Sequence, residues 1–381
     1  MKIHIPTFIL VTLLLSSCSS TKDVKFRDQV STELVETFDI QNDEFSKFKV
    51  EEIPNVKKVD KVVKVEEKST KKVTKKSKKS NIPKVKKTTK AKKEVVKEKA
   101  EKKEVVSQEQ IKSKKQTYPK DYPDNFKKYN KNYKYVWDTV KPYFFPNEKF
   151  VLKASYLGVT VGHAKLESLP VVSVAGRKAF HFKGSLKSAS FYNYIYTVED
   201  WVESYVDAET FVPVKYTLIQ RESGQDVDDL QLFDSETLKT HFWYKKIKKE
   251  KLSKKELHEY TPKYFQDSFS ALYFVRGLDL SVGSKYEFPI ITRAKLWLMN
   301  MEVEKIERIK IMGKWQDAYR IKAETRFPGI LRKKGDILFW FSVDKYRKLL
   351  KFQGNVKIGA IEGELVEYEK GDEKFSMDDL E

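Results

Sequence analysis

The sequence predicts a mainly β protein: an antiparallel β-barrel-like or half-barrel/sandwich domain with one short buried helix, preceded by a long disordered Lys-rich linker. Three observations predict it. Of the 50 aromatic residues only five precede Tyr118, and all 14 glycines fall at or after Gly158, so the residues that fill cores and turn chains lie in the C-terminal two-thirds. There, apolar and polar residues alternate with a period of two over short runs divided by Gly, Asp and Asn. Between Lys57 and Lys115, by contrast, there is neither an aromatic nor a glycine, but 24 lysines stand against eight acids.

Taken in order, residues 1–17 have the form of a signal peptide. Lys2 and His4 make a short charged start, and Phe8 to Leu15 is an apolar run. That run is too short to span a bilayer, which takes roughly 20 apolar residues, but it has the length of a secretory core. Leu15-Ser16-Ser17-Cys18 looks like a bacterial lipobox, with small residues at the cleavage site and a cysteine to receive the lipid. Cys18 is the sole cysteine of the 381 residues and is the predicted lipid-attachment site. With Cys18 acylated no thiol remains, so disulfides are excluded in any compartment. Ser19, where an aspartate would signal retention, favours the outer membrane, with the protein facing the periplasm.

Residues 18–56 are expected to be a lipid-anchored tether. The stretch 22–55 carries nine acids against five bases, with Phe26, Phe38, Phe45 and Phe48 scattered among them. Disorder is the expected state, because no second apolar face is in view for these rings to pack on. Residues 57–117 are the Lys-rich linker, whose self-repelling coil would span about 40–45 Å and reach about 200 Å when stretched. It is either a spacer or a strip that adheres to anionic envelope material, the partner surface expected of Lys57–Lys115. Nucleic acid is not an expected partner, since no aromatics are interleaved for base stacking.

Residues 118–143, rich in Tyr, Asn, Asp and Pro, are expected to be an ordered lead-in arm. The β-rich domain follows at 144–369, and 370–381 is an acidic tail. Phe150, Leu152, Ala154 and Tyr156 alternate with polar neighbours, Gly158 turns the chain, and Thr160 to Leu166 alternate on the return. Phe180 to Leu186 and Val212 to Leu218 repeat the pattern. Further strands are predicted near 192–206, 229–234, 238–246, 285–291, 294–311, 317–327, 335–342, 346–353 and 355–368, which makes an antiparallel meander. One segment departs from this period. Asp267 can cap a helix, Phe269, Leu272, Tyr273 and Arg276 follow at helical spacing, and Gly277 can end it in a left-handed conformation.

Several phrases in this domain resemble, in order, the bacterial envelope family named domain of unknown function 3108. They are Glu148 followed by Ala154 to Ala164, then Tyr205 to Pro213, Gln266 to Arg276, Trp340 to Asp344, and Lys357 to Leu365. The resemblance covers roughly residues 144–368. It implies an antiparallel barrel-like or half-barrel fold with a helix, and it brings no activity or catalytic residue with it.

No catalytic constellation is visible. His4, His163, His181, His241 and His258 show no metal-ligand spacing, and Leu257-His258-Glu259 lacks the second histidine of a zinc helix. Asp226, Asp228 and Asp229 after Gly224 have the composition of a solvated hairpin tip, with cation binding the lesser reading. Asp267 beside Ser268 and Ser270 is better explained as a helix cap than as an activated hydroxyl. No enzyme activity, cofactor or metal is therefore expected. Two function classes stay open: a module whose concave face accepts an apolar or lipid-like ligand, and a structural or assembly lipoprotein that tethers to cell wall or another envelope protein. For the linker the expected outcome is definite. A peptide of Lys57–Lys115 should bind anionic vesicles at low salt and be released near 1 M, where the Debye length is about 3 Å; co-sedimentation across a salt series measures this.

Overall fold

The computed structural model describes residues 38, 40, 43–53, 118–191, 196–325, 335–355 and 359–372. The leader, Cys18, the linker from 57 to 115 and the tail beyond 372 lie outside these residues. The chain forms two units, one of Met1–Val56 with Pro119–Glu381 and one of Lys57–Tyr118, and every element below belongs to the first.

In chain order the elements are α1 (Asp43–Ser46), β1 (Val50–Glu52), α2 (Asp124–Thr139), β2 (Lys149–Tyr156), β3 (Val159–Val174), β4 (Arg177–Ser188), β5 (Val198–Asp207), β6 (Pro213–Glu222), β7 (Gln225–Asp234), β8 (Lys239–Lys248) and β9 (Lys251–Tyr260). There follow α3 (Ser270–Arg276), β10 (Lys285–Thr292), β11 (Lys295–Ile311), β12 (Lys314–Thr325), β13 (Gly335–Ser342), β14 (Leu349–Asn355) and β15 (Ala360–Glu369). All strand pairings are antiparallel, in the order β10-β11-β12-β13-β14-β15-β2-β3-β4-β5-β6-β7-β8-β9. The predicted barrel-like meander is thus present as two arms joined at a seam between β15 and β2, where Leu365 faces Leu152. β1 continues the sheet beside the far end of β3, Val50 opposite Val174.

Tight turns set the register. Leu157–Gly158, Ala175–Gly176, Lys249–Glu250, Arg293–Ala294 and Met312–Gly313 all have positive φ at both residues, the geometry of two-residue hairpins whose twist matches the strands. Tyr156 therefore faces Val159, and Lys248 faces Lys251, with no slack for a slip.

The inner face of the curved sheet is filled by the protein's own helices. Tyr133, Val136 and Trp137 of α2 are buried there. Tyr273 of α3 stacks on Phe182 with ring centroids 3.8 Å apart, and Phe274 meets Trp137 at 4.5 Å and Phe288 at 5.1 Å. The predicted helix is real but differs in detail. Asp267 lies before it and accepts the N–H groups of Phe269 and Ser270, both at 2.7 Å. Gly277 has φ −83°, in the right-handed region, so a left-handed stop is not why glycine is there. A Cβ at Gly277 would lie 2.3 Å from the Lys141 carbonyl oxygen, so the requirement is close backbone approach. Phe269 and Leu272 are half-buried, whereas Tyr273, Phe274 and Val275 are buried.

Two elements add to the expected set, and one expectation is corrected. The lead-in arm contains α2, a 16-residue helix hidden by its polar composition. β9 is a full strand where alternation gave no signal, because its residues are mostly exposed and charged. The tether is folded over 43–53: Phe45 and Phe48 are 7% and 1% exposed, and they pack on the outer face of the sheet with Trp201, Tyr205 and Trp243.

Where the arms meet, Arg276 at the end of α3 forms a buried bidentate pair with Glu148, at 2.8 and 3.0 Å. Tyr368 of β15 donates to the same carboxylate at 3.0 Å. Arg276 also donates to the carbonyls of Tyr346 and Arg347 in the turn before β14. Glu148→Ala or Arg276→Ala should destabilise the protein by about 3–5 kcal/mol, since each leaves an unpaired buried charge. Phe274→Ala should cost about 3–5 kcal/mol through its cavity, and Leu272→Ala, at a half-buried site, should lie at or below the low end of about 2–5 kcal/mol. Urea unfolding of the full chain, followed by tryptophan fluorescence, ranks the four.

Candidate functional site

The strap formed by residues 43–53 is held to the outer face by specific contacts. The Lys47 carbonyl accepts the N–H of Ala175, and the Lys47 ammonium pairs with Asp234 at 2.9 Å. Lys215, 1% exposed, donates its ammonium to the Phe48 carbonyl at 3.2 Å. Beside the strap opens a groove of about 550 Å³ lined chiefly by Phe38, Ile40, Phe45, His241, Trp243 and His258. That volume falls within the range of small-molecule sites, about 300–1,000 Å³.

At its floor the two histidines meet. β8 and β9 place His241 directly opposite His258, and their Nδ1 atoms lie 2.8 Å apart. His258 Nε2 lies 3.1 Å from Glu256 Oε1, so this nitrogen carries the proton and donates. That assigns His258 Nδ1 as the acceptor and His241 Nδ1–H as the donor, and leaves His241 Nε2 buried with no hydrogen-bond partner among the described residues. Phe45 closes over the pair, its ring 4.7 Å from His241 and 5.0 Å from Trp243. Burial first, and then the facing His258, push the His241 imidazole down to about 4. Glu44 on the strap and Asp234 pull in the opposite direction, while Lys239 adds to the depression.

Other polar clusters are structural. Glu203 is buried on the outer face among His181 at 2.9 Å, Lys183 at 3.2 Å and the Tyr205 hydroxyl at 2.6 Å. Burial alone would raise its carboxyl, but His181, Lys183 and Tyr205 hold it at about 2. Asp226 is exposed, but Asp228 and Asp229 are buried within β7 and do not form a solvated tip, which corrects that reading. Asp228 pairs with Arg221 at 2.7 Å and Asp229 with Arg293 at 3.1 Å. Burial pushes the Asp229 carboxyl up to about 7 in spite of Arg293, whose own side chain is 37% exposed and so screened. Asp267 accepts the Ser204 hydroxyl as well as its two backbone donors, as expected of a capping carboxylate. His163 stands apart on β3. Among the described residues no group of three or more His, Cys, Asp or Glu is placed to hold a metal, and no helix is long and apolar enough to cross a membrane.

The histidine pair was not visible as a spacing motif. It follows from hairpin symmetry: His241 and His258 are equidistant from the Lys249–Glu250 turn, and that symmetry becomes evident once β9 is known to be a strand. Elsewhere the surface carries a loose apolar group at one end of the sheet. Leu157, Val159, Leu186, Phe191, Tyr196 and Ile361 are 37–74% exposed at or near the β2–β3, β4–β5 and β14–β15 turns.

A family model described as "Protein of unknown function (DUF3108)" matches residues 151–366. No curated protein matches the chain. Among solved structures, a β-barrel-like protein of the domain of unknown function DUF1849 from Brucella abortus is 12% identical, covers 61% of this chain and 100% of its own, and has a TM-score of 0.41. A candidate lipoprotein from Parabacteroides distasonis is 13% identical, with 60% and 99% covered and a TM-score of 0.28. A candidate exported protein with a YmcC-like fold from Bacteroides fragilis is 9% identical, with 60% and 100% covered and a TM-score of 0.26.

The histidine pair should make strap docking acid-labile. A histidine whose folded value is depressed from 6.5 to about 4 gives stability that is complete above about pH 6.5 and lost as pH falls toward 4. Trp243 fluorescence and proteolysis at 43–53 should both report strap release within that window. In His241→Phe, which keeps a ring beside Phe45 but cannot titrate, the transition between pH 6.5 and 4 should vanish, while acid unfolding below it persists.

Proposed function

The chain belongs to the DUF3108 family, and from that premise we propose that it is an envelope lipoprotein whose β-rich domain works as a docking module for another envelope component. The observation that carries this is how the domain distributes its apolar side chains. The concave face, where an acyl chain would enter a half-barrel, is filled by Trp137, Phe182, Tyr273, Phe274 and Phe288. Six of the exposed apolar residues gather instead at one end of the sheet, at the turns around Leu157, Phe191 and Ile361, with others such as Trp315 and Leu252 at separate turns. A filled interior with an apolar end is the distribution expected of an assembly protein, whose affinity comes from a surface patch. Anchoring through Cys18 on the outer membrane, with the Lys57–Lys115 linker supplying reach and adhesion to anionic envelope material, completes the proposal.

The groove beside the strap supports a second reading, an apolar ligand held between Phe38, Ile40, Phe45 and Trp243. The two are separated by a photo-crosslinking side chain placed at Leu157 in the full chain in cells, with Tyr135 as an exposed control. Docking predicts a discrete protein adduct from Leu157 alone, abolished by Phe191→Asp. Lipid recovered in equal amount from the purified chain, with no adduct, would favour the groove instead. For the anchor, Cys18→Ser should leave the leader uncut or move the protein to the soluble fraction. Unchanged processing and membrane fractionation would contradict lipid attachment.

A further inference from the structure

We propose that the β8–β9 hairpin is a cationic finger that docks the folded domain onto an anionic lipid surface. From 245 to 255 the chain reads Lys-Lys-Ile-Lys-Lys-Glu-Lys-Leu-Ser-Lys-Lys, seven lysines with one acid. Among the described residues none of these lysines forms an ion pair, although pairing is common over the rest of the sheet. Register sets like charges face to face: Lys245 opposes Lys254, and Lys248 opposes Lys251. Cross-strand pairs of like charge oppose sheet formation, so the fold tolerates this arrangement without drawing stability from it.

Protection of a sheet edge against aggregation is the ordinary use of lysines on an outer strand. It accounts for Lys251, Lys254 and Lys255 on β9. It does not account for Lys245 and Lys246, because β8 is paired on both sides there. Nor does it account for Ile247 and Leu252, which face one another next to the turn and are 39% and 57% exposed. An apolar pair at the tip of a lysine-flanked ribbon is the composition of an interfacial element. The side chains enter the headgroup boundary while the lysine stems lie along the surface with their ammonium groups at the phosphates. Between Lys246, Lys248, Lys249, Lys251, Leu252 and Ser253 lies a shallow depression of about 350 Å³, with room for a phosphate headgroup.

The cations are all lysine. Point charges suit the diffuse field of a lipid surface, whereas bidentate recognition of a single carboxylate or phosphate favours arginine. Nucleic acid is a poorer fit, since no exposed aromatic lies on the hairpin to stack a base. The finger shares its end of the sheet with Leu157 and Val159 at the β2–β3 turn, yet the inference does not require a protein partner there.

Hydrogen exchange of the full chain reads the hairpin locally and so separates it from the lysines of the linker. Added to vesicles of phosphatidylglycerol and phosphatidylethanolamine, the protein should show slowed exchange across residues 245–255. With phosphatidylcholine vesicles it should not. Leu252→Ser with Ile247→Ser should remove the protection while leaving far-UV circular dichroism and the melt unchanged, because both side chains are exposed. Each Lys→Gln at 248, 251 or 254 should weaken vesicle binding through the hairpin about fivefold. Unchanged exchange at 245–255 on phosphatidylglycerol vesicles that hold the protein would overturn the proposal. So would equal protection by phosphatidylcholine, or by a soluble polyanion such as dextran sulfate.

Discussion

A carboxylate and a guanidinium taken out of water together hold this fold where the first and last long strands of the domain meet. Glu148 stands immediately before β2, and Arg276 ends α3. Between them they gather the turn before β14 through the Tyr346 and Arg347 carbonyls, and β15 through Tyr368. Arg347 reciprocates by donating to the Arg276 and Leu278 carbonyls. The seam between the two arms is therefore fastened to the helix that fills the concavity. A hydrophobic substitute of equal volume could match such a pair in stability, but not in direction, because bidentate geometry admits one orientation of α3 over the sheet. With α3 so fixed, Tyr273 and Phe274 can meet Phe182 and Trp137, and the interior closes on protein side chains.

Closing the interior makes the central strands unusual. Most residues of β5, β6 and β7 are buried, because their inner side chains meet the helices and their outer ones meet the strap. An antiparallel sheet normally leaves one face to water. Here the outer face carries Trp201, Tyr205, Leu230, Leu232 and Trp243, an apolar area left exposed unless Phe45 and Phe48 cover it. The strap therefore belongs to the folded domain, although more than sixty residues of intervening chain separate it from α2.

The strands with one clean apolar face were legible from alternation alone, and so was α3, because its spacing breaks that alternation. The strap was not legible, since two phenylalanines in an acidic segment give no period, and their partners alternate with inner-face residues in strands more than a hundred positions away. α2 was masked by lysine, asparagine and tyrosine on its outer side, with only Tyr133, Val136 and Trp137 to mark a buried stripe. β9 was masked by its own charge. Missing it concealed both the opposition of His241 to His258 and the lysine ladder, because each depends on knowing what lies across the turn. Gly277 was assigned to the right element for the wrong reason: sequence can show that a side chain is excluded, but not which atom excludes it.

Along the outer face of one hairpin the cross-strand pairs therefore change character in steps. His241 with His258 lies under Phe45, Trp243 with Glu256 borders the strap groove, Lys245 with Lys254 is cationic, and Ile247 with Leu252 is apolar and exposed. These pairs follow one another at two-residue steps along the same face. A proton on His241 would add positive charge four residues along β8 from Lys245, with the Trp243–Glu256 pair between. It would also oppose the strap, because Phe45 covers the imidazole and excludes the water that would otherwise solvate the cation. The strap is the last described segment before residue 118, so the element that holds the strap and the element proposed to meet lipid are parts of the same two strands.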